Sequence, residues 1–277
     1  WYLHLFDTKQ PDWNWENPEV RAEFLDVLRF WLDRGVDGFR VDVAHSLIKA
    51  PGLPDQEPAE QAAQDAETDG FFLSGPMWDQ DRVHEVYRDW RALLDTYSPD
   101  RILCAEAWVP SLDRLARYVR DDEMHQAFNF GYLESEWDAA HLRATIDKSV
   151  AANETVGAPT TWVLSNHDVV RHVSRLGLPA GPRPNGIRAG DVQPDHELGL
   201  RRARAATLLM LSLPGSAYVY QGEELGLPDH TSLDDDLRQD PTWWRSQYTE
   251  AGRDGCRVPL PWEADEPGLG FGPGGAT

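Results

Sequence analysis

Cysteine is nearly absent. Cys104 and Cys256 are the only two in 277 residues, far apart and without metal-ligand spacing, so neither a disulfide framework nor a cysteine-based zinc site is indicated. Cys104 lies in the apolar run Ile102-Leu103-Cys104-Ala105 and reads as a buried free thiol. Positive charge is also scarce: 26 Lys and Arg against 47 Asp and Glu leave a formal net charge of −21. That field repels phosphate backbones and anionic headgroups, so no nucleic-acid and no membrane partner is expected. No apolar run reaches the roughly 18 residues of a membrane-spanning helix, and no signal peptide is visible; a cytoplasmic rather than a secreted protein is the expectation. The chain opens at Trp1 without a methionine and stops at Thr277 in a Gly/Pro-rich run, in the manner of a segment cut from something longer.

What is present suits one large core: 41% hydrophobic residues with 26% charged is the balance of a globular protein. Short apolar runs alternate with helical stretches, the pattern of βα units. The strand candidates are Gly38 to Val43, Ile102 to Trp108, Thr161 to Ser165 and Ser216 to Tyr220, with a weaker one at Ala127 to Phe130. Between them Val83 to Thr96, Ser111 to Val119, Glu134 to Ala151 and Leu198 to Leu211 read as helices. Another helix opens at Asn17-Pro18-Glu19, with Asn17 as N-cap and Pro18 at the first helical position, and runs to about Arg34 before Gly35. A (β/α)8 barrel of about 250 residues allots about 31 to each unit. Asp42 to Glu106 spans one unit plus the Pro51 to Ser74 insertion, which has no clear period, and Glu106 to Asp168 spans two. The five strands fall short of the eight that a closed barrel needs.

Asp42, Glu106 and Asp168 each stand at or just past the C-terminal end of a strand, where (β/α)8 enzymes place their chemistry. Taken singly, an acid there is more often a helix N-cap or a solvated loop charge; three together, with their neighbours, point to a site. Arg40 precedes Asp42 by two positions, so both side chains share a strand face and the guanidinium can orient an attacking carboxylate. Glu106 has Ala105 and Ala107 beside it, and partial desolvation would raise its pKa, as a proton-donating carboxyl requires. Asn166-His167-Asp168 offers an amide, an imidazole and a third carboxylate in one turn, suited to gripping vicinal hydroxyls.

Two carboxylates in different protonation states flanking one bond are the working parts of glycoside hydrolysis, with retention of configuration at a separation of about 5 Å. The rival from another class is a barrel lyase with three acidic Mg²⁺ ligands. A fixed cation at Arg40 opposes metal binding beside it, and no lysine base flanks the other strands. The twelve tryptophans, among them Trp13, Trp15, Trp108, Trp243, Trp244 and Trp262, fit a sugar-stacking site, although most read as packing residues. His4, His45 and His125 read as structural.

These motifs resemble those of the α-amylase family of glycoside hydrolases, most closely its bacterial α-glucosidase and oligo-1,6-glucosidase-like branch. The signature stretches are Gly38-Phe39-Arg40-Val41-Asp42-Val43-Ala44-His45, Ala105-Glu106-Ala107-Trp108 and Leu164-Ser165-Asn166-His167-Asp168. Similar stretches are Gln10-Pro11-Asp12-Trp13-Asn14-Trp15, Tyr218 to Gly226, and Arg253 to Trp262. The resemblance implies a partial (β/α)8 TIM barrel comprising strands four to eight. Residues 1–16 would be the end of the family's excursion domain, 50–80 a loop insertion and 222–277 the loop after the last strand. It implies Asp42 as nucleophile, Glu106 as acid/base and Asp168 as the carboxylate that holds sugar hydroxyls, with Arg40, His167 and Arg257 binding substrate. Arg257 would close the pocket over a terminal glucose, its acidic partner lying upstream of Trp1.

The family's first signature segment is absent, so the first three strands and the C-terminal β-sandwich are expected to be missing too, leaving an open edge prone to aggregation. The implied activity is a retaining α-glucosidase that releases glucose from maltose or malto-oligosaccharides by double displacement. Val43 after the nucleophile goes with α-1,6 linkages in relatives, whereas the Asp-Val-Ala-His context favours α-1,4. Transglycosylation, sucrose or trehalose conversion, and a non-catalytic binding protein are the alternatives. No cofactor is expected; the structural calcium that some members carry would find its ligands largely in the missing segment.

Overall fold

The computed structural model describes residues 1–55, 75–181 and 183–272, so the greater part of the Pro51 to Ser74 insertion lies outside the described residues. The chain forms two compact units. The first comprises Trp1–Phe130 and Arg143–Thr161, the second Gly131–Leu142 and Trp162–Thr277.

In the first unit, α1 (Pro18–Leu32) begins as the sequence predicts: the Asn17 side chain accepts from the Glu19 N–H and Pro18 sits in the first turn. It turns Val20, Phe24, Leu28 and Leu32, four residues apart, toward the core. Next come β1 (Gly38–Val41), α2 (Val83–Leu94), β2 (Ile102–Ala105), α3 (Leu112–Ala116) and β3 (Gln126–Ala127). The buried face of α2 carries Val83, Val86, Tyr87, Trp90, Leu93 and Leu94. Each large apolar side chain buried there contributes about 1.5–3 kcal/mol, and this face rather than helix propensity anchors α2.

β1 and β2 pair in parallel with Gly38 opposite Ile102 and Val41 opposite Ala105; β2 and β3 continue the sheet with Ala105 opposite Ala127. Gly38 is required by this register, because a Cβ there would come within 2.2 Å of the Ile102 carbonyl oxygen. β1 stands at the sheet edge, paired only with β2 among the described residues. Just past β3, Phe128 bridges to Thr161 in parallel.

The weak strand is thus shorter than predicted, and residues 130–133 turn into a short helix, α4 (Phe130–Leu133). The helix read over Glu134 to Ala151 is α5 (Ala139–Glu154). Its start is set by Asp138, whose carboxylate accepts from the His141 N–H at 2.8 Å. β4 (Thr161–Val163), α6 (His172–Arg175), α7 (His196–Ser212), β5 (Ser216–Tyr218) and α8 (Pro241–Arg245) complete the order, and β4 pairs with β5. Trp162 is fully buried and donates its indole N–H to the Pro214 carbonyl at 2.8 Å. Along α7 a stripe of Gly199, Ala203, Ala206 and Met210 is buried.

Candidate active site

β1 delivers Arg40 and Asp42 to one side of its end, as the period of two requires, and the Arg40 guanidinium pairs with the Asp42 carboxylate. The Asp42 side chain stays 68% exposed, so a reactant can reach it. Glu106, one residue beyond β2, is buried. Its backbone continues the ladder: its N–H donates to the Val41 carbonyl at 2.9 Å and its carbonyl accepts from Ala44 N–H at 2.8 Å. Glu106 Oε2 accepts from the Val43 N–H at 2.7 Å. The buried carboxyl is therefore tied to the residue next to Asp42.

That bond depends on an unusual backbone. Val43 has φ 47° and ψ 45°, left-handed values that cost a β-branched residue of order 1–3 kcal/mol. The turn sends Ala44–Ser46 into a short 3₁₀ segment and aims the Val43 N–H at Glu106. Burial pushes the Glu106 carboxyl up from its ordinary range; the Val43 N–H and the Arg40 charge oppose that shift, and the Asp42 charge adds to it. Trp108 stacks on Phe130 with ring centroids 3.7 Å apart, giving Glu106 an aromatic neighbourhood.

The second unit assembles His167, Asp168 and Arg257. His167 Nε2 lies 3.3 Å from Asp168 Oδ2. Arg257 donates to the His167 carbonyl at 2.7 Å and to Asp168 Oδ1 at 3.1 Å. Asn166 does not offer its carbonyl oxygen to a ligand, because that atom accepts from the Asp168 and Val169 N–H groups at 2.8 and 3.1 Å and shapes the turn. The sequence reading missed Arg253, which donates to the same Asp168 Oδ1 at 2.8 Å.

Arg171, fully buried, ties this turn to its surroundings. Its backbone N–H donates to Asp229 Oδ2 at 3.0 Å, its Nε to the Cys256 carbonyl at 3.0 Å and its Nη1 to the Gln221 carbonyl at 2.9 Å. The segment bearing Arg253 and Arg257 is thereby fixed to the chain just past Asp168.

The two groups of candidate residues belong to different units, each built from its own unit's elements. His45 is buried and stacks on Trp78, its pKa lowered to about 4 by burial. His125 accepts from the Leu103 N–H at 3.1 Å, and His4 lies near the Phe6 carbonyl at the surface. Trp15 and Trp243 are buried, whereas Trp13, Trp244 and Trp262 are exposed. Cys104 and Cys256 are buried and not joined in a disulfide. Among the described residues no group of three or more His, Cys, Asp or Glu side chains is arranged for a metal ion, and no helix is long and apolar enough to cross a membrane.

Strands alternating with helices, with Asp42 and Glu106 one residue past β1 and β2 and Asp168 five residues past β4, make an α/β fold of the kind found in part of a (β/α)8 barrel, not closed among the described residues. The model of the α-amylase catalytic domain matches residues 1–275. The oligo-1,6-glucosidase of Parageobacillus thermoglucosidasius is 30% identical over 295 aligned positions, covering 96% of this chain and 48% of that protein. A probable α-glucosidase of Rhizobium meliloti is 33% identical, covering 95% of this chain and 46% of its own. The solved structure of the α-glucosyl transfer enzyme XgtA superposes with a TM-score of 0.79 at 35% identity, covering 98% of this chain and 48% of that one. The chain belongs to the α-amylase family of glycoside hydrolases, and it spans about half the length of the relatives it matches.

Proposed function

We propose that the intact protein carrying this chain is a retaining α-glucosidase, in which Asp42 attacks the anomeric carbon of a terminal α-linked glucose while Glu106 protonates the departing oxygen. The C1–O bond to the leaving sugar breaks as the bond from C1 to the Asp42 carboxylate forms. Glu106, now a carboxylate, takes a proton from water, whose oxygen attacks C1, releases Asp42 and leaves glucose in its original configuration. The family resemblance assigns Asp168 to the sugar hydroxyls and Arg40, His167 and Arg257 to substrate binding.

One observation carries this reading: an exposed carboxylate paired with arginine sits beside a buried carboxyl tied to the next residue's N–H. Those are the opposite environments that a nucleophile and a proton donor require. The reading needs the two carboxyl groups about 5 Å apart. The similarity to glucosidases supports the substrate class, and the similarity to XgtA favours a second reading in which a sugar instead of water captures the intermediate. The Asp-Val-Ala-His context supports α-1,4 linkages.

The test is glucose release from maltose, isomaltose and sucrose by the intact protein. Maltose is expected to be cleaved fastest; preference for isomaltose would overturn the α-1,4 assignment. Oligosaccharides longer than the substrate, formed at high sugar concentration in place of glucose, would decide for transfer.

Arg40→Ala separates the role of the cation from that of the carboxylates. Loss of a fixed charge at the reacting centre is expected to lower kcat roughly 10²- to 10³-fold. Since the Arg40 charge holds the Glu106 carboxyl down, its removal lets that pKa rise and moves the alkaline limb of the kcat–pH profile to higher pH. A limb that stays in place or moves down contradicts the assignment.

A further inference from the structure

Asp168 Oδ1 receives two arginines that are anchored differently. The Arg257 side chain donates to the neighbouring His167 carbonyl and to Asp168 itself, and its backbone N–H donates to the Asp254 carbonyl at 3.1 Å. Arg253 is gripped at both ends by one oxygen: Asp240 Oδ2 accepts its backbone N–H at 2.8 Å and its Nε at 2.7 Å, while its Nη1 reaches Asp168 Oδ1 at 2.8 Å. We propose that Asp240 is a positioning residue that acts through Arg253 to fix the Asp168 carboxylate. The proposal rests on the glucosidase reading, in which Asp168 grips the substrate.

Asp240 is built for this. Its side chain is 1% exposed, against 37% for Arg253 and 29% for Asp168, so the anchor is internal while the groups it orients face solvent. Oδ1 caps α8 by accepting from the Thr242 N–H at 2.9 Å. The Asp254 carboxylate accepts from the Gln239 and Asp240 N–H groups at 2.9 and 3.0 Å and fixes the backbone that carries the anchor. Gly252 has φ +66°, and a Cβ there would stand 2.8 Å from Asp240 Cγ, so a glycine is needed for the carboxylate to close on the segment. Burial alone would raise the Asp240 pKa; the Thr242 and Arg253 donors outweigh it and hold the group at about 2, charged throughout the working range. Both arginines are held at Nε, which fixes the plane of the terminal fork, but Arg257 leans on the turn that carries Asp168 itself, whereas Arg253 is held by a buried carboxylate from a separate segment.

The experiment measures kcat and KM on maltose, glucose binding by calorimetry and Tm for the intact protein and its D240N, R253A, D240N/R253A and D168N forms. Asparagine caps a helix as well as aspartate does, so D240N keeps the start of α8 and loses the anion facing Arg253. Misplacement of a binding group is expected to lower kcat/KM roughly 10- to 100-fold in D240N, with a lower Tm as well, because the amide nitrogen cannot accept the two Arg253 donors. R253A should lose a similar factor, and the double variant should be no worse than R253A alone, because residues acting in series do not add. Parent-like kinetics in D240N, with D168N impaired, would overturn the proposal and leave the glucosidase reading standing. A D240N loss that persists in full in the R253A background would also overturn it. Should D240N fail to fold, G252A, which presses a methyl group on the same carboxylate, is expected to show the same dependence on Arg253. A parent that neither cleaves maltose nor binds glucose would sink the glucosidase reading and this proposal together.

Discussion

Replacing Asp42 by asparagine is expected to abolish turnover, with kcat on maltose reduced at least about 10⁴-fold, the scale seen when a nucleophile is removed. The amide has nearly the shape of the carboxylate and still accepts from Arg40, so the strand end is preserved. What it lacks is the anionic oxygen that, on the glucosidase reading, forms a bond to C1. Binding should therefore survive: calorimetry on Asp42→Asn should show maltose affinity within a few-fold of the parent. Wild-type turnover in this variant would exclude Asp42 as nucleophile, and loss of binding together with turnover would point to a structural role.

Glu106→Gln is expected to lower kcat on maltose by about 10²- to 10⁴-fold, the usual contribution of general acid–base catalysis, and to do so in a way that depends on the leaving group. Burial raises the pKa of this carboxyl, so the protonated form extends to higher pH than that of an ordinary glutamate. Activity falls as the pH rises through that value, because the acid is lost before it can protonate the departing oxygen. The glutamine variant has no proton to lose there, and its residual activity should be flat where the parent shows an alkaline limb. An aryl glucoside whose phenolate departs unaided should recover much of the first step. An alkaline limb that persists unchanged in Glu106→Gln would assign it to another group.

The first half of the site was legible because its signals are local. An apolar run that ends in an acid, with an arginine two positions earlier, describes the Arg40–Asp42 pair without tertiary information, and Asn17-Pro18 describes a helix start. Asp138 and Asp195 were equally local signals: each caps a helix whose start the hydrophobic period alone misplaced. Arg253 was harder to see. It lies in the same stretch as Arg257 but 85 residues from the carboxylate it binds, and nothing in the spacing says that both arginines turn toward Asp168. Asp240-Pro241 carries the mark of a helix start, which hides its second task, since an N-cap leaves one carboxylate oxygen free for another partner. The conformation of Val43 was illegible for a different reason: left-handed backbone is announced by glycine or asparagine, and here a β-branched residue occupies it.

The left-handed valine also sets the terms on which the proposed glucosidase could be redesigned. A mutant library at position 43 is under two selections at once, because the residue there directly follows the proposed nucleophile and its backbone must still aim the N–H at Glu106. Glycine and asparagine relax the turn, and proline forfeits the donor altogether. Screens for thermal tolerance and screens for altered linkage preference would therefore enrich different residues at this one codon, and variants chosen for new specificity should be paired with stabilising changes elsewhere.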